Sequence, residues 1–485
     1  MTQLFDSSMH GKIFSNGWRD AHAGTVEVHE PATGDLIAPS GLAGAADVVR
    51  AVASAVERQR GWAALPAPER GEVLRRAADL LVAHRDEFIE LGMRECGAIA
   101  GKAENEVNGT RGELLEAAAM GTAPYGEMLP SPTGKLSFAR RVPVGVVAVI
   151  TPWNFPLILA MRAVAPALVL GNAVVLKPDI QTPLIGGLLL ARLFEAAGLP
   201  DGVLHVLPGA ADVGEALVTA PAVDMVAFTG STATGRRVAQ LAATNLKKVS
   251  LELGGNNALI VLDDADLEAA VSTGAWGSYL HQGQICLTTG RHLVHASIAE
   301  QYTDALVEHA RALKVGNPVQ ADVLIGPLIN SRQLARVDDI VQRSVSAGAR
   351  LRTGGTSEQL FYTPTVLDRV TTDMPAFADE IFGPVAAVTV FDDDAEAVAL
   401  ANGTEYGLTA AIQTRSLNRG LAIAKQLRTG MVHINDTTVN DEPQVPFGGM
   451  GSSGTGGRFG GIANWDEFTQ WQWVTVRDEP APYPF

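Results

Sequence analysis

Apolar residues recur at helical spacing along the first part of the chain. Between Asp47 and Gln59, Val48, Val49, Val52, Ala55 and Val56 follow one another at i, i+1, i+4, i+7 and i+8, the stripe of an amphipathic helix. A second helix is expected from Pro68 and Glu69, with proline in the first turn and an apolar face of Val73, Leu74, Ala77, Leu80 and Leu81. Apart from a short hairpin around Asn16-Gly17, the first hundred residues therefore read as mostly helical. From Gly145 the period changes to short apolar, β-branched runs at 146–150, 173–176, 203–207, 225–228 and 249–253. Runs without polar alternation are buried on both faces, as in a parallel sheet with helical crossovers. A second series at 258–262, 292–295, 386–391, 410–414 and 431–434 predicts another such sheet. Segments 129–141 and 468–477 alternate apolar with polar and fit neither series. They are expected to pair with one another or to extend the sheet of a second subunit. A homo-oligomer is the preferred reading, because a lone two-stranded ribbon is marginal in water.

The class is therefore α/β: two doubly wound α/β domains plus a small β element serving oligomerisation. The expected boundaries are 1–125 with 145–252 for the first domain, 253–430 for the second, and 126–144 with 456–485 for the small element. Lys and Arg total 37 against 53 for Asp and Glu, a net charge of −16 with no basic block, which excludes a phosphate-backbone partner such as nucleic acid. No membrane span is expected, since the apolar stretch 157–176 is broken by Arg162 and Asn172 and falls short of about 18 clean apolar residues. Met1 to Arg19 lacks the apolar core of a signal peptide, and two cysteines make no disulfide framework, so a cytoplasmic location is expected.

The two cysteines differ in setting. Cys96 lies in a helical pattern with Leu91 and Met93 and reads as core. Cys286 ends His281-Gln282-Gly283-Gln284-Ile285-Cys286 and precedes Thr288 and Thr289. It reads either as a buried structural cysteine or as a reactive thiol on a loop entering a helix, where backbone N–H groups lower a thiol pKa. A thiol attacking a carbonyl requires an oxyanion donor and, where water releases the product, a general base. Asn154 follows a buried strand directly, at the edge where open α/β sheets place ligands; its other reading is an N-cap for a helix from Pro156. Glu252 interrupts an apolar run, where a charge is costly to bury unless paired or used, or else it is a solvated carboxylate at a strand edge.

Seven motifs extend this reading: TPWNFP at 151–156, VVLKP at 174–178, FTGSTATG at 228–235, LELGGNN at 251–257, GQIC at 283–286, EIFGPV at 380–385 and PFGGMGSSG at 446–454. In that order they make the chain resemble the NAD(P)-dependent aldehyde dehydrogenase superfamily over essentially its whole length. Through INDTTVNDEPQVPFGG and its C-terminal tail it is most similar to the bacterial benzaldehyde and vanillin dehydrogenases. The resemblance implies a nucleotide-binding first domain, a catalytic second domain, and a homodimer or homotetramer acting on a small-molecule aldehyde. It makes Cys286 the nucleophile that forms a thiohemiacetal and then a thioester. Asn154 would share an oxyanion hole with the Cys286 N–H, and Glu252 would activate the deacylating water.

For NAD and/or NADP, the resemblance places the pyrophosphate at Gly230, Ser231 and the following helix N-terminus, where backbone donors and the helix dipole bind anions. Lys177 would contact the adenosine ribose and Glu380 the nicotinamide ribose, although in isolation Glu380 is a helix-end charge. Phe382 would pack beside the nicotinamide, and Trp153 joins the cofactor set. Many NAD-preferring members carry a glutamate three residues after this lysine, where this chain has Ile180. A 2′-phosphate meets no repulsion there, while Asp179 either opposes it or binds the ribose, so use of both cofactors is expected.

An apolar funnel of Leu157, Ile158, Leu159, Met161, Ile285, Leu287, Val439 and Val445 points to an uncharged, aromatic aldehyde. Arg162 is read as a structural ion pair rather than a partner for a substrate carboxylate or phenolate. The alternatives are an aliphatic or semialdehyde substrate on the same fold, and a catalytically silent cofactor-binding protein. The intact set Cys286, Asn154, Glu252, Lys177 and Glu380 argues against the silent protein.

Overall fold

The structure, a computed structural model, describes residues 3–480 and 482–483; the outermost positions of the expected segments 1–125 and 456–485 lie outside the described residues. The first apolar series forms a parallel array in the order Lys248–Glu252, Met225–Thr229, Val146–Ile150, Ala173–Lys177, Leu204–Val206. The chain starts in the middle, moves outward through 173 and 204, then returns to the other side at 225. The strand order thus reverses between Val146–Ile150 and Met225–Thr229, and the crevice outside their carboxyl ends is the ligand-binding edge of such sheets.

Two short strands, Lys12–Phe14 and Trp18–Asp20, add an antiparallel hairpin to the far edge. Its turn runs through Asn16-Gly17, with φ of 53° and 84°, positive angles that asparagine and glycine tolerate in a tight turn. A second hairpin, Thr25–His29 with Leu36–Gly41, corrects the helical reading of the first hundred residues. Its five-residue first strand is too short for alternation to stand out. Helices begin only at Ala45 and run Ala45–Ala64, Ala67–Ala83, Arg85–Cys96 and Ala100–Met120. Buried Asp47 anchors the first of them, accepting from the N–H groups of Gly44 at 2.9 Å and His22 at 2.8 Å. Cys96 is fully buried in the core, as its pattern suggested.

The second series builds a sheet in the order Arg350–Thr353, Thr365–Asp368, Val385–Phe391, Thr289–His295, Asn257–Val261, Thr409–Gln413, Met431–Ile434. All neighbours are parallel except Arg350–Thr353, and the two strands at that edge have no counterpart in the sequence reading. Alternate residues feed opposite faces: Ala258, Ile260 and Leu262 pack with Val337, Phe377 and Phe391, whereas Leu259 and Val261 pack with Tyr302, Leu306 and Val366. Both sheets are thus covered on two sides, the doubly wound arrangement.

Only Leu253, Gly254, Gly255 and Asn256 separate the end of Lys248–Glu252 from the start of Asn257–Val261. This short link sets the carboxyl edge of the first sheet against the amino edge of the second. The two leftover segments pair with one another: Thr469–Val476 runs antiparallel to Leu136–Pro143, which also pairs with Gly126–Met128. Across that pairing the Arg141 guanidinium lies 4.1 Å from the Trp471 ring, and Trp473 Nε1 donates to Ser137 Oγ at 3.0 Å. Among the described residues no helix is long and apolar enough to cross a membrane.

Asn172 ties this small sheet to the first large one. Its Oδ1 accepts from Gly145 N–H at 2.9 Å, and its Nδ2 donates to Ala167 O and Phe468 O, both at 3.0 Å. Asn172→Ala would leave a buried carbonyl and an amide without these partners, a loss of about 2 kcal/mol. The expected outcome is a lower thermal midpoint with unchanged helical circular dichroism at room temperature; an unaltered midpoint would show that the tie is dispensable.

Candidate active site

A cleft of about 1090 Å³ opens at the reversal point of the first sheet. Of the ten residues singled out from sequence, Trp153, Asn154, Lys177, Asp179, Gly230, Ser231, Cys286, Glu380 and Phe382 line it, and Glu252 is buried outside the lining.

Cys286 reaches the cleft on a strained loop. His281, Gln282 and Gly283 have φ of 49°, 56° and 66°, all left-handed. Non-glycine residues hold such a conformation only when their surroundings enforce it. Gln282 supplies an anchor, its Nε2 donating to Pro327 O at 2.9 Å and Gly97 O at 3.1 Å. Gly283 has no room for a side chain, because a Cβ would fall 2.1 Å from Gly383 O. The loop does not enter a helix, as the sequence reading had it, but leads into the amino end of strand Thr289–His295. No helix N-terminus therefore lowers the thiol pKa. Burial pushes it up to about 12, Glu380 adds to the rise, and Arg162 opposes it.

Asn154 is buried at the carboxyl end of Val146–Ile150. It does not cap the helix Pro156–Val169; its Nδ2 donates to Gln284 O at 2.9 Å, two residues before the cysteine. One further N–H of this amide remains for a ligand. The backbone of Asn154 is fixed by a pair the sequence reading missed. Lys102 Nζ donates to Asn154 O at 2.8 Å and bonds Glu106 at 2.5 Å, while Glu106 Oε1 accepts Leu157 N–H at 2.8 Å and so caps that helix. The spacing of Lys102 and Glu106, one helical turn apart on a buried face of Ala100–Met120, was the available signal.

Glu252 ends its strand buried, its carboxylate bonded by no side chain and facing the Gly449 backbone N–H. Burial holds its pKa well above the usual carboxylate range, with Arg162 and Arg458 opposing. Its backbone carbonyl accepts Gly230 N–H at 3.0 Å. On the other side, a Cβ on Gly448 would lie 2.7 Å from Glu252 Oε1, so the glycines of PFGGMGSSG make room for the carboxylate.

The rest of the cleft suits an extended anionic ligand. Ser231 caps the helix Thr232–Ala243, whose N-terminus faces the cleft. Lys177 ends its strand with burial lowering its pKa and Asp179 and Asp212 opposing, and its Nζ has only a 3.4 Å bond to Pro178 O. Glu380 accepts Gly255 N–H at 2.9 Å, and burial raises its pKa to about 7. A Cβ on Gly254 would fall 2.2 Å from Glu380 Oε2, so only glycine admits that carboxylate. Phe382, with φ of 58°, stands edge-on to Trp153 at 5.5 Å. Volume, helix terminus and ribose-compatible carboxylate together fit a dinucleotide.

Arg162 is a buried ion-paired residue, as read from sequence: it bonds Asp441, lies 3.4 Å from Glu113, and sits 4.1 Å from the Phe447 ring. Burial opposes its charge, but Asp441 and Glu113 outweigh that effect. The funnel is narrower than expected. Leu157 and Met161 are buried in the core of the first sheet, whereas Ile285, Leu287, Leu408 and Phe447, with Phe155 and Val439 against them, form a separate apolar cluster beside Cys286.

Comparison with known proteins follows the same lines. The model of the aldehyde dehydrogenase family matches residues 18–474. A benzaldehyde dehydrogenase (NAD(+)) of Pseudomonas putida is 52% identical over 477 residues, covering 98% of each chain. A vanillin dehydrogenase of an Amycolatopsis species is 53% identical over 486 residues, covering all of both. Among solved structures, a salicylaldehyde dehydrogenase from Pseudomonas putida complexed with salicylaldehyde superposes with a TM-score of 0.95 at 36% identity, over 98% of this chain and 99% of that one. From the strand order to the glycines that seat its carboxylates, the chain belongs to the aldehyde dehydrogenase family.

Proposed function

We propose that the protein oxidises aromatic aldehydes to carboxylic acids with NAD or NADP, with Cys286 as nucleophile, Asn154 as oxyanion donor and Glu252 as general base. The observation that carries this reading is the pairing of a cleft-lining thiol with a buried carboxylate that no side chain bonds. Such a carboxylate is kept in a fold only at a cost that function repays. The Cys286 sulfur, after losing its proton, adds to the aldehyde carbon. The carbonyl oxygen then takes up negative charge against the second N–H of the Asn154 amide. When bound, the nicotinamide supplies the hydride acceptor that turns this adduct into a thioester. Lys177, the Ser231 helix terminus and Glu380 would hold the dinucleotide along the cleft. Glu252 takes a proton from water, whose oxygen attacks the thioester carbon, and the C–S bond breaks to release the acid and free the thiol. The apolar cluster of Ile285, Leu287 and Phe447 favours an aromatic ring over a charged chain, in keeping with the benzaldehyde, vanillin and salicylaldehyde names of the relatives.

Reduced cofactor formed from benzaldehyde and NAD, followed by its near-ultraviolet absorbance, tests this. Cys286→Ala should lower kcat at least about 1000-fold. Glu252→Gln should keep a burst of reduced cofactor while steady turnover falls about 100-fold or more. Loss of the burst would place Glu252 before hydride transfer. A higher kcat/KM on succinic semialdehyde or betaine aldehyde would overturn the aromatic assignment.

Both cofactors are proposed because Ile180 lines the cleft where a carboxylate would repel a 2′-phosphate. Ile180→Glu should weaken NADP binding relative to NAD in calorimetric titration. Equal loss of both, or refusal of NADP by the parent chain at millimolar concentration, would contradict this.

Assembly as a homodimer or homotetramer is also proposed. Strand Thr469–Val476 is exposed along nearly all of its length, with Trp471, Trp473 and nearby Met128 open to solvent in the single chain. Such a strand is an unfinished edge that a second copy of the sheet would cover. Light scattering should find an oligomer for the parent and a smaller species for Trp471→Glu with Trp473→Glu; a monomeric parent would exclude the assembly.

A further inference from the structure

The link between the two large sheets ends at Asn256 and the next strand opens at Asn257, tandem asparagines whose side chains reach different loops. Asn257 Nδ2 donates to Cys286 O and Thr288 O, both at 2.8 Å, and its Oδ1 accepts Thr409 N–H at 3.2 Å. Asn256 Nδ2 donates to Phe377 O at 2.7 Å and Asp379 O at 3.0 Å, beside Glu380. Both are almost fully buried. The Asn256 carbonyl is itself held by Arg291 Nε at 2.9 Å. The packing leaves no slack: a Cβ would lie 2.8 Å from Cys286 O if built on Gly255, and 2.1 Å from Asn256 Oδ1 if built on Gly290.

An asparagine amide offers two diverging N–H donors at short reach, serine offers one and aspartate none. Each residue uses both donors to pin two carbonyls of one loop. Because the peptide unit is planar, fixing the Cys286 carbonyl fixes the plane that joins it to Leu287, and so restrains the backbone from which the thiol projects. Fixing the Phe377 and Asp379 carbonyls likewise sets the backbone from which Glu380 projects.

We infer that Asn256 and Asn257 are positioning residues for separate halves of the reaction, Asn257 aligning the nucleophile loop and Asn256 aligning the loop that presents Glu380 to the cofactor. The inference rests on the roles proposed above for Cys286 and Glu380. A merely structural pair would loosen both loops together; a positioning pair separates.

The test uses the full-length, cofactor-free protein with two readouts: the rate of Cys286 alkylation by iodoacetamide, located by mass spectrometry, and the Kd for NAD by calorimetry. Asn257→Ser should slow alkylation about tenfold with Kd within about twofold, and Asn256→Ser should raise Kd about tenfold with alkylation within about twofold. Asn257→Gln and Asn256→Gln, which keep both donors one methylene further out, should recover part of the lost half, and they carry the comparison if a serine variant fails to fold. Both readouts moving together in either variant, or neither moving, would overturn the inference. Cys286→Ala keeps the two questions apart. If it retains turnover, the proposed function fails; if it is inactive while the asparagine variants do not separate, only this inference fails.

Discussion

The carboxylate of Glu252 is the constraint on which the site depends. A buried acid is disfavoured in its charged form, and here two guanidiniums, Arg162 and Arg458, supply the opposing field together with the Gly449 backbone N–H. Neither guanidinium bonds it, so no side chain occupies the oxygens. Keeping them so requires that no side chain fill the space around them. Gly448 achieves this on one side, and the Glu252 backbone is meanwhile anchored through Gly230 and a bridge to Gly454. Glu252, the turn at Gly230 and the glycine-rich C-terminal motif are thus one mechanical unit.

Around that unit, glycines and left-handed residues let backbones touch. The Cys286 loop and the EIFGPV loop meet where Gly283 faces Gly383 O, at a distance that excludes a Cβ. His281, Gln282 and Phe382 each hold a left-handed backbone, at a cost of about 1–3 kcal/mol apiece. Side-chain bonds from Gln282 to Gly97 and Pro327, and from Gln333 to Phe382 O, hold these turns in place. Polar side chains, more than apolar packing, therefore set the geometry near the thiol.

How much of this was legible in the sequence differs from residue to residue. The parallel strands were visible because a strand buried on both faces must be apolar throughout, and the runs at 146–150 and 173–176 fall on observed, fully buried strands. The hairpin Thr25–His29 with Leu36–Gly41 was not, because its short strands are partly exposed and carry no clear period. Cys286 was found from its flanking residues, but the helix expected after it is absent. Gly-Gln-Ile-Cys is compatible with a helix start or with a strand approach, and only packing against the neighbouring loops selects the second. The buried pair Lys102 and Glu106 was not singled out, since an i, i+4 ion pair looks the same in sequence whether solvent or protein surrounds it.

The sequence by itself determined the class, the order of the motifs and which residues to look for in the cleft, because these follow from local periodicity and from residue chemistry. It left open which face each charge would meet. The tertiary structure decided that Asn154 bonds Gln284 rather than capping a helix, that burial raises the Cys286 thiol pKa, and that Arg162 answers Glu113 and Asp441. These outcomes depend on residues far apart in the chain, 49 positions for Arg162 and Glu113, 130 for Asn154 and Gln284 and 279 for Arg162 and Asp441, and the two longer-range pairs meet because two sheets are joined by a link only four residues long, from Leu253 to Asn256.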